Sequence, residues 1–334
     1  MRAIVYDGQL KLVTDYPVPN VPTGWARIRV HKAGICKTDM EIMRGYQGFT
    51  GVLGHEFVGI IDQCDHPDWI GKRAVGEINV GCGECEQCQK GMARHCPRRK
   101  TLGIHHLDGC MADYCVLPLS NLHLVPDSLA DHRAVLIEPL SAAFEILDQI
   151  EPKGSEQAVV LGDGPLGILC AWALTTVLRD VALIGHHPAK LEKAAWRDLR
   201  TYPVLPAGRE GGVDIVVEAT GSEKGLAHAM VLCRPRGTIV LKSTTASEGK
   251  INLSPLVVNE QTLIGSRCGR FEVGLGMLAS FPDMPLERLI WADYPIGRAL
   301  EAFEQAMQPD TLKIVLDISG SGDLSNNFRN FSSV

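Results

Sequence analysis

Cys82, Cys85, Cys88 and Cys96 fall within fifteen residues, in the spacing C-x2-C-x2-C-x7-C. Thiolates are soft ligands, and four of them on one short loop can close a tetrahedral shell around Zn²⁺. The loop reads GCGECEQCQKGMARHC, in which Gly81, Gly83 and Gly91 are expected to permit the turns that point successive sulfurs inward. A shell closed by four sulfurs leaves no position for a substrate, so a zinc held here would be structural. The chemistry must lie elsewhere.

A second pattern, Gly162-Asp163-Gly164-Pro165-Leu166-Gly167, gives G-x-G-x-x-G. It follows an apolar strand-like run and opens an apolar helical one, the context in which each glycine has a task. Those tasks are a tight turn, close approach of a pyrophosphate, and close packing of helix on strand. The N-terminus of that helix, beginning at Pro165 and Leu166, would add unpaired N–H groups for the phosphates. About twenty residues on, an NAD site usually has an Asp or Glu for the ribose hydroxyls. Here that place holds Gly185, with His186, His187 and Lys190 close by. The missing carboxylate and the basic neighbours favour NADP over NAD.

These motifs need a scaffold. With 334 residues the chain can form two domains. Short β-type runs at 26–31, 58–62 and 73–77, with Gly and Pro between them, predict an irregular β-rich first third. A helix is expected over 140–150. From residue 157 the pattern alternates: strands at 158–161, 181–184, 213–219, 238–241 and 262–266, helices at 165–178, 189–199 and 224–232. Alternation of this kind predicts a parallel, doubly wound sheet. Residues 201–212 leave no room for a crossover helix, although 202–205 could form a strand. Helices at 273–281 and 299–307 and a strand at 313–317 would return to the first domain. The polar end, 319–334, is expected to be a mobile tail.

Composition narrows the partners. The formal net charge is −6, and Lys and Arg form no stripe, so nucleic acid is not expected. The longest apolar stretch, 165–178, is too short to cross a membrane. The opening MRAIVYDG alternates like a strand and does not read as a secretory leader. Eleven cysteines, an odd number, fit thiols and metal ligands in a reducing cytoplasm better than a disulfide framework.

The order of motifs carries a resemblance. Gly34-Ile35-Cys36-Lys37-Thr38-Asp39 and Gly54-His55-Glu56 precede the four-cysteine loop; Glu138-Pro139-Leu140 and the glycine pattern follow it. Together they resemble the zinc-dependent medium-chain alcohol dehydrogenases, especially the branch of sorbitol and threonine dehydrogenases, from Met1 to about Asp317. The resemblance implies an α/β protein: a GroES-like β-rich catalytic domain (1–140 and 269–318) plus a Rossmann dinucleotide-binding domain (141–268). It implies two zincs per chain, the second held by Cys36, His55 and a carboxylate, with Glu56 and Glu138 both candidates. It further implies a proton relay at Thr38, support of His55 by Asp39, and cofactor contacts from Thr220, Ser243, Thr244 and Lys313. Glu41 stands where several relatives have a histidine of the relay.

The implied reaction is hydride transfer between a nicotinamide and an alcohol or carbonyl, of the secondary alcohol or polyol class, with zinc as Lewis acid. Two alternatives stand beside it: a reductase of enones or quinones without the catalytic zinc, and a non-catalytic dinucleotide-binding protein. Substrate-pocket candidates are Tyr46, Phe49, His105, His106 and Met111. A homodimer or homotetramer is expected, formed by pairing the strand at 262–266.

Overall fold

The computed structural model describes residues 1–204, 208–222, 224–244 and 251–320. The expected tail beyond residue 320, and Leu205 at the end of the suggested strand, lie outside these residues. Two sheets organise the chain. The first is mixed and built around the eleven-residue strand Trp25–Ile35, whose inward positions Ala26, Ile28 and Val30 alternate with outward ones, as a half-buried strand requires. Trp25–Ile35 pairs antiparallel with Glu56–Cys64, Tyr114–Pro118 and Lys313–Asp317. The last of these brings the end of the described chain back against its beginning.

The second sheet has six parallel strands, in the order Arg200–Tyr202, Asp180–Ile184, Gln157–Leu161, Val213–Glu218, Cys233–Leu241, Thr262–Gly265. Numbered along the chain this is 3-2-1-4-5-6, the doubly wound dinucleotide-binding order. The order reverses between Gln157–Leu161 and Val213–Glu218, so a crevice opens beyond the carboxyl ends of those two strands. The helix Pro165–Thr175 follows the first strand and is buried from Gly167 to Leu174, which explains why it is apolar on every face. Trp172 at its centre donates its indole N–H to the Ala194 carbonyl at 2.8 Å.

Several elements differ from expectation. The helix expected over 140–150 spans Ile137–Ile150, so Glu138 lies in its first turn. The helix expected over 189–199 stops at Lys193, and Arg197 adopts a left-handed φ of 52° soon after. A short helix, Lys37–Met43, and a strand, Ile290–Pro295, have no counterpart in the expectation. The edge strand Arg200–Tyr202 is present with no crossover helix described before Val213.

Asp131, in the first turn of the helix Asp131–Ala134, ties that helix to the mixed sheet. It accepts a hydrogen bond from Arg73 at 2.7 Å and lies 3.0 Å from His31 Nδ1. His31, and then Arg73, hold its carboxyl below the usual carboxylate range against the opposing effect of burial. A depressed folded pKa stabilises the fold above the unfolded value of about 3.9, and the contribution is lost as pH falls through the folded pKa. Asp131→Asn should therefore cost about 1 kcal/mol at neutral pH. Urea unfolding at neutral pH and near pH 3 checks this: the difference from wild type should shrink in acid, and a constant difference would contradict it.

Candidate active site and metal centres

Where Trp25–Ile35 ends, the chain turns into the helix Lys37–Met43 with Cys36 as its N-cap. The Cys36 backbone N–H donates to Asp39 Oδ2 at 2.8 Å, the third helical residue reaching back as in a capping box. The other oxygen of Asp39 lies 3.4 Å from His55 Nδ1, with both side chains buried. His55 immediately precedes the strand Glu56–Cys64, and the register pairs Glu56 with Gly34. Cap and register together bring one ligand atom each from Cys36, His55 and Glu56 to within 4.8 Å of one another. Gly34 is required here, since a Cβ at that position would run into the Glu56 carboxylate.

Lys313 was expected at a pyrophosphate. The structure instead buries it behind Glu56, 2.7 Å from the carboxylate and 3.0 Å from the Ile35 carbonyl. Burial alone would pull its pKa down, but Glu56, with Cys36 and Asp39 beyond it, raises it above the ordinary value. Glu138 faces the same cavity but is not among the three clustered ligand atoms. Its carboxyl is pushed up to about 7 by burial, with Glu56 adding to the shift and His55 opposing it. Thr38 lies beside Cys36, its hydroxyl 3.7 Å from the sulfur. Glu41 accepts a hydrogen bond from Arg44 at 2.7 Å and also lines the cavity.

Does this cradle suit a cation? Asp39 Oδ1, His55 Nδ1 and Glu56 Oε2 are buried and make no well-directed hydrogen bond. Asp39 Oδ1 and His55 Nδ1 face each other at 3.4 Å, and Glu56 Oε2 is held only by its ion pair with Lys313 at 2.7 Å. A divalent ion on the three ligands would draw Glu56 to itself and polarise the His55 N–H toward Asp39, so the donor set fits zinc.

The four cysteines also converge, their sulfurs all within 4.8 Å of one another. Cys82 and Cys88 sulfurs are 4.0 Å apart and those of Cys85 and Cys96 3.7 Å. Tetrahedral thiolates at zinc–sulfur distances of about 2.3 Å would be about 3.8 Å apart. The backbone N–H of Glu84 draws the Cys82 thiol down to about 6. Gly83 and Gly91 take left-handed turns as expected; Gly81 does not, and is needed because a Cβ there would sit 2.8 Å from Cys88 Sγ.

Across the cavity lies the glycine loop. Gly162 takes φ 115°, and a Cβ there would press on the Ala219 carbonyl at 2.6 Å. A Cβ on Gly167 would strike the Gly162 carbonyl, while Gly164, the N-cap ahead of Pro165 and Leu166, has open space before it. The Thr220 hydroxyl donates to Glu218 at 2.5 Å, and the Ser243 hydroxyl accepts from the Gly221 N–H at 2.7 Å. Thr244 and His186 are exposed along the same wall. The metal cradle and this loop open on one cavity of about 1090 Å³.

Sequence reasoning missed three residues. The Asp163 carboxylate lies over Gly185, so close that a Cβ on Gly185 would collide with it, and it accepts hydrogen bonds from the His187 backbone at 2.8 Å and ring at 3.0 Å. A carboxylate thus occupies the space beside position 185 although none stands there in the sequence. Nearby, Lys190 is buried with no ion pair among the described residues, its pKa lowered by burial. The second is Lys242, whose buried ammonium bonds the Ala142 carbonyl at 2.7 Å and the Ser266 hydroxyl and Arg267 carbonyl at 3.1 Å. The third is Arg99, which lines the cavity near His105. Of the five pocket candidates, Tyr46 and His105 line the cavity; Phe49, His106 and Met111 do not.

Comparison with known proteins agrees with this geometry. Residues 22–127 match the alcohol dehydrogenase GroES-like domain, and residues 131–318 match the glucose dehydrogenase C-terminus. An L-threonine 3-dehydrogenase of Anaeromyxobacter sp. is 28% identical, with 95% of this chain and 99% of that protein covered. A D-altritol 5-dehydrogenase of Agrobacterium fabrum is 27% identical, covering 91% and 95%. The crystal structure of an alcohol dehydrogenase (rspB) from Escherichia coli CFT073, complexed with NADH, superimposes with a TM-score of 0.85 at 26% identity, covering 95% and 99%.

Asp39→Asn keeps an oxygen to cap the helix but removes the charge that faces His55. Zinc affinity at Cys36, His55 and Glu56 should fall about 10- to 100-fold, with the four-cysteine site unaffected. Competition with a chromophoric chelator resolves the two classes of site, and equal weakening of both would contradict the assignment.

Proposed function

The chain belongs to the zinc-type medium-chain alcohol dehydrogenase family, sorbitol/threonine dehydrogenase-like, and from that premise we propose that it oxidises a secondary alcohol or polyol at Cys36, His55 and Glu56. The observation that carries this reading is the convergence of those three ligand atoms on the cavity that also holds the glycine loop. When bound, zinc supplies Lewis acidity to the reacting oxygen, and NAD(P) accepts or returns the hydride.

The chain's own residues do the rest. Thr38, a donor and acceptor both, passes the hydroxyl proton outward. Asp39 fixes the ring of His55, and Lys313 holds Glu56, which we assign as the direct ligand ahead of Glu138. Gly162, Gly164 and Gly167 let the backbone approach the pyrophosphate, and Thr220, Ser243 and Thr244 border the nicotinamide half. We assign residues 1–140 and 269–318 to the metal-holding lobe, 141–268 to the dinucleotide lobe, and two zincs to each chain. The enone or quinone reductase reading is disfavoured because its characteristic is loss of the ligands that converge here.

Among the finer assignments, NADP is preferred over NAD. Gly185 adds no carboxylate of its own, Asp163 is engaged by the His187 backbone and ring, and Lys190 lines the cavity where a 2′-phosphate would lie. The edge strand Thr262–Gly265 pairs on one side only among the described residues, which supports a homodimer or homotetramer formed through it. No helix among the described residues is long and apolar enough to cross a membrane; separately, eleven cysteines, five of them proposed metal ligands, are in keeping with a reducing cytoplasm.

Turnover of a panel of secondary alcohols and polyols, followed by nicotinamide absorbance with each cofactor, tests the reading. Zinc-dependent turnover is expected, with kcat/KM at least about tenfold higher for NADP than for NAD and a ratio lowered by Lys190→Ala. A preference for NAD would overturn the cofactor assignment and give Asp163 the ribose hydroxyls. No turnover by a zinc-loaded, cofactor-binding protein would overturn the dehydrogenase itself.

A further inference from the structure

The chain is acidic overall, with formal net charge −6, yet one arm of its cavity is basic. Arg44, Arg99, His105 and Arg267 all line it, and Arg99 and Arg267 bond the backbone of the four-cysteine loop at Cys96 and Arg94. Most carboxylates nearby are engaged, and Glu138, which also lines the cavity, is pushed toward its neutral form by burial. Glu41 is bonded to Arg44, Glu56 to Lys313, and Glu145 to Arg94 at 3.1 Å. Arg267 spends its guanidinium on the backbone carbonyl of Arg94 and finds no acid among the described residues.

Arg99 is the sharper case. It makes no side-chain hydrogen bond or ion pair with any described residue, and its Nε is buried without a partner. A guanidinium placed so is poorly satisfied by the protein alone and well shaped for an oxyanion. Its backbone is fixed, since the Arg99 N–H donates to the Cys96 carbonyl at 3.1 Å, next to the cysteine loop. The field of these cations is felt locally. His105 is lowered by burial, then by His106 and Arg99. A neutral His105 can still hydrogen-bond to an anion without competing with the arginines for it.

The cofactor's phosphates do not explain this arm. Their place is the glycine loop at the carboxyl ends of the parallel strands, with Lys190 at the ribose end. Arg99 instead lies beside the strand Lys100–Leu102 of the metal-holding lobe, where Thr101 and Asn79 also line the cavity.

We propose that the substrate is a polyhydroxy compound bearing an anionic group, a phosphate ester or a carboxylate, bound by Arg99 with Arg267 and His105 beside it. The inference rests on the dehydrogenase reading and adds the chemical class of its substrate. The hydroxyl to be oxidised then lies at Cys36, His55 and Glu56, and the anionic end fixes which carbon is presented.

The test uses the zinc-loaded full-length enzyme. Steady-state kinetics are measured for a neutral pentitol or hexitol, its phosphate ester, and the aldonate of the same length. The expected result is at least a tenfold higher kcat/KM for one anionic compound than for the neutral one, the two anionic arms separating phosphate from carboxylate. In Arg99→Met that selectivity should fall about 10- to 100-fold, chiefly through KM of the anionic substrate, and Arg99→Lys should recover part of it. Zinc content and NADPH fluorescence establish that the variants are folded. Calorimetric titration of inorganic phosphate into enzyme saturated with NADPH gives a readout free of turnover, with weaker binding expected in Arg99→Met. Preference for the neutral polyol, or unchanged selectivity in both variants, overturns the proposal and leaves the dehydrogenase standing. Phosphate binding through Arg99 in a protein that oxidises none of the three would overturn this substrate class and leave the dehydrogenase reading to the wider alcohol panel.

Discussion

One buried carboxylate organises the candidate active site. Asp39 holds the backbone N–H of Cys36 with one oxygen and faces the ring of His55 with the other. The first contact starts a helix at the place where the central strand ends, so it decides where the Cys36 sulfur points. The second fixes which nitrogen of His55 is left for a metal. Burial makes this arrangement costly to misplace, because an unpaired carboxylate in that position has no water to turn to. Lys313 answers the matching problem on the other side, neutralising Glu56 from a strand more than two hundred and fifty residues away. The fold must therefore close its two ends together before the site exists.

The second constraint is the junction between the two sheets. The reversal of strand order creates a crevice at the glycine loop, and the cavity that continues from it reaches the metal cradle. Lys242 bonds groups on the helix Ile137–Ile150 and on the segment leaving Thr262–Gly265, all from the end of the strand Cys233–Leu241. A buried ammonium satisfied by two carbonyls and a hydroxyl is held by geometry more than by charge. All three partners belong to the dinucleotide lobe, so these bonds hold that side of the junction in shape.

Much of this was legible in the sequence because it was local. The cysteine spacing, the glycine pattern and the alternation of apolar runs each lie within a few turns of chain, and the parallel sheet follows from them. Cys36, His55 and Glu56 came with the order of motifs, and the structure brings those three together. The helix Lys37–Met43 escaped notice because it is short and its N-cap is a cysteine; Asp39 at its third position was the available signal. The strand Ile290–Pro295 escaped because it is half-exposed and owes its existence to Lys313–Asp317 beside it. The direction of Lys313 could not be read, since a strand residue faces one of two ways and only the register decides. Asp163 and Arg99 were hidden for a related reason: what singles them out is the side chain across from them, or its absence.

Two metal sites with separate tasks are proposed, one open to the cavity and one closed. Zinc content per chain, measured with turnover in the wild type, Cys36→Ser and Cys82→Ser, tests that most directly. Two zincs are expected in the wild type. Cys36→Ser should keep one zinc and the fold while losing turnover, and Cys82→Ser should lose stability along with its metal. A single zinc in the wild type that Cys36→Ser leaves in place, or unfolding of Cys36→Ser, would contradict the account.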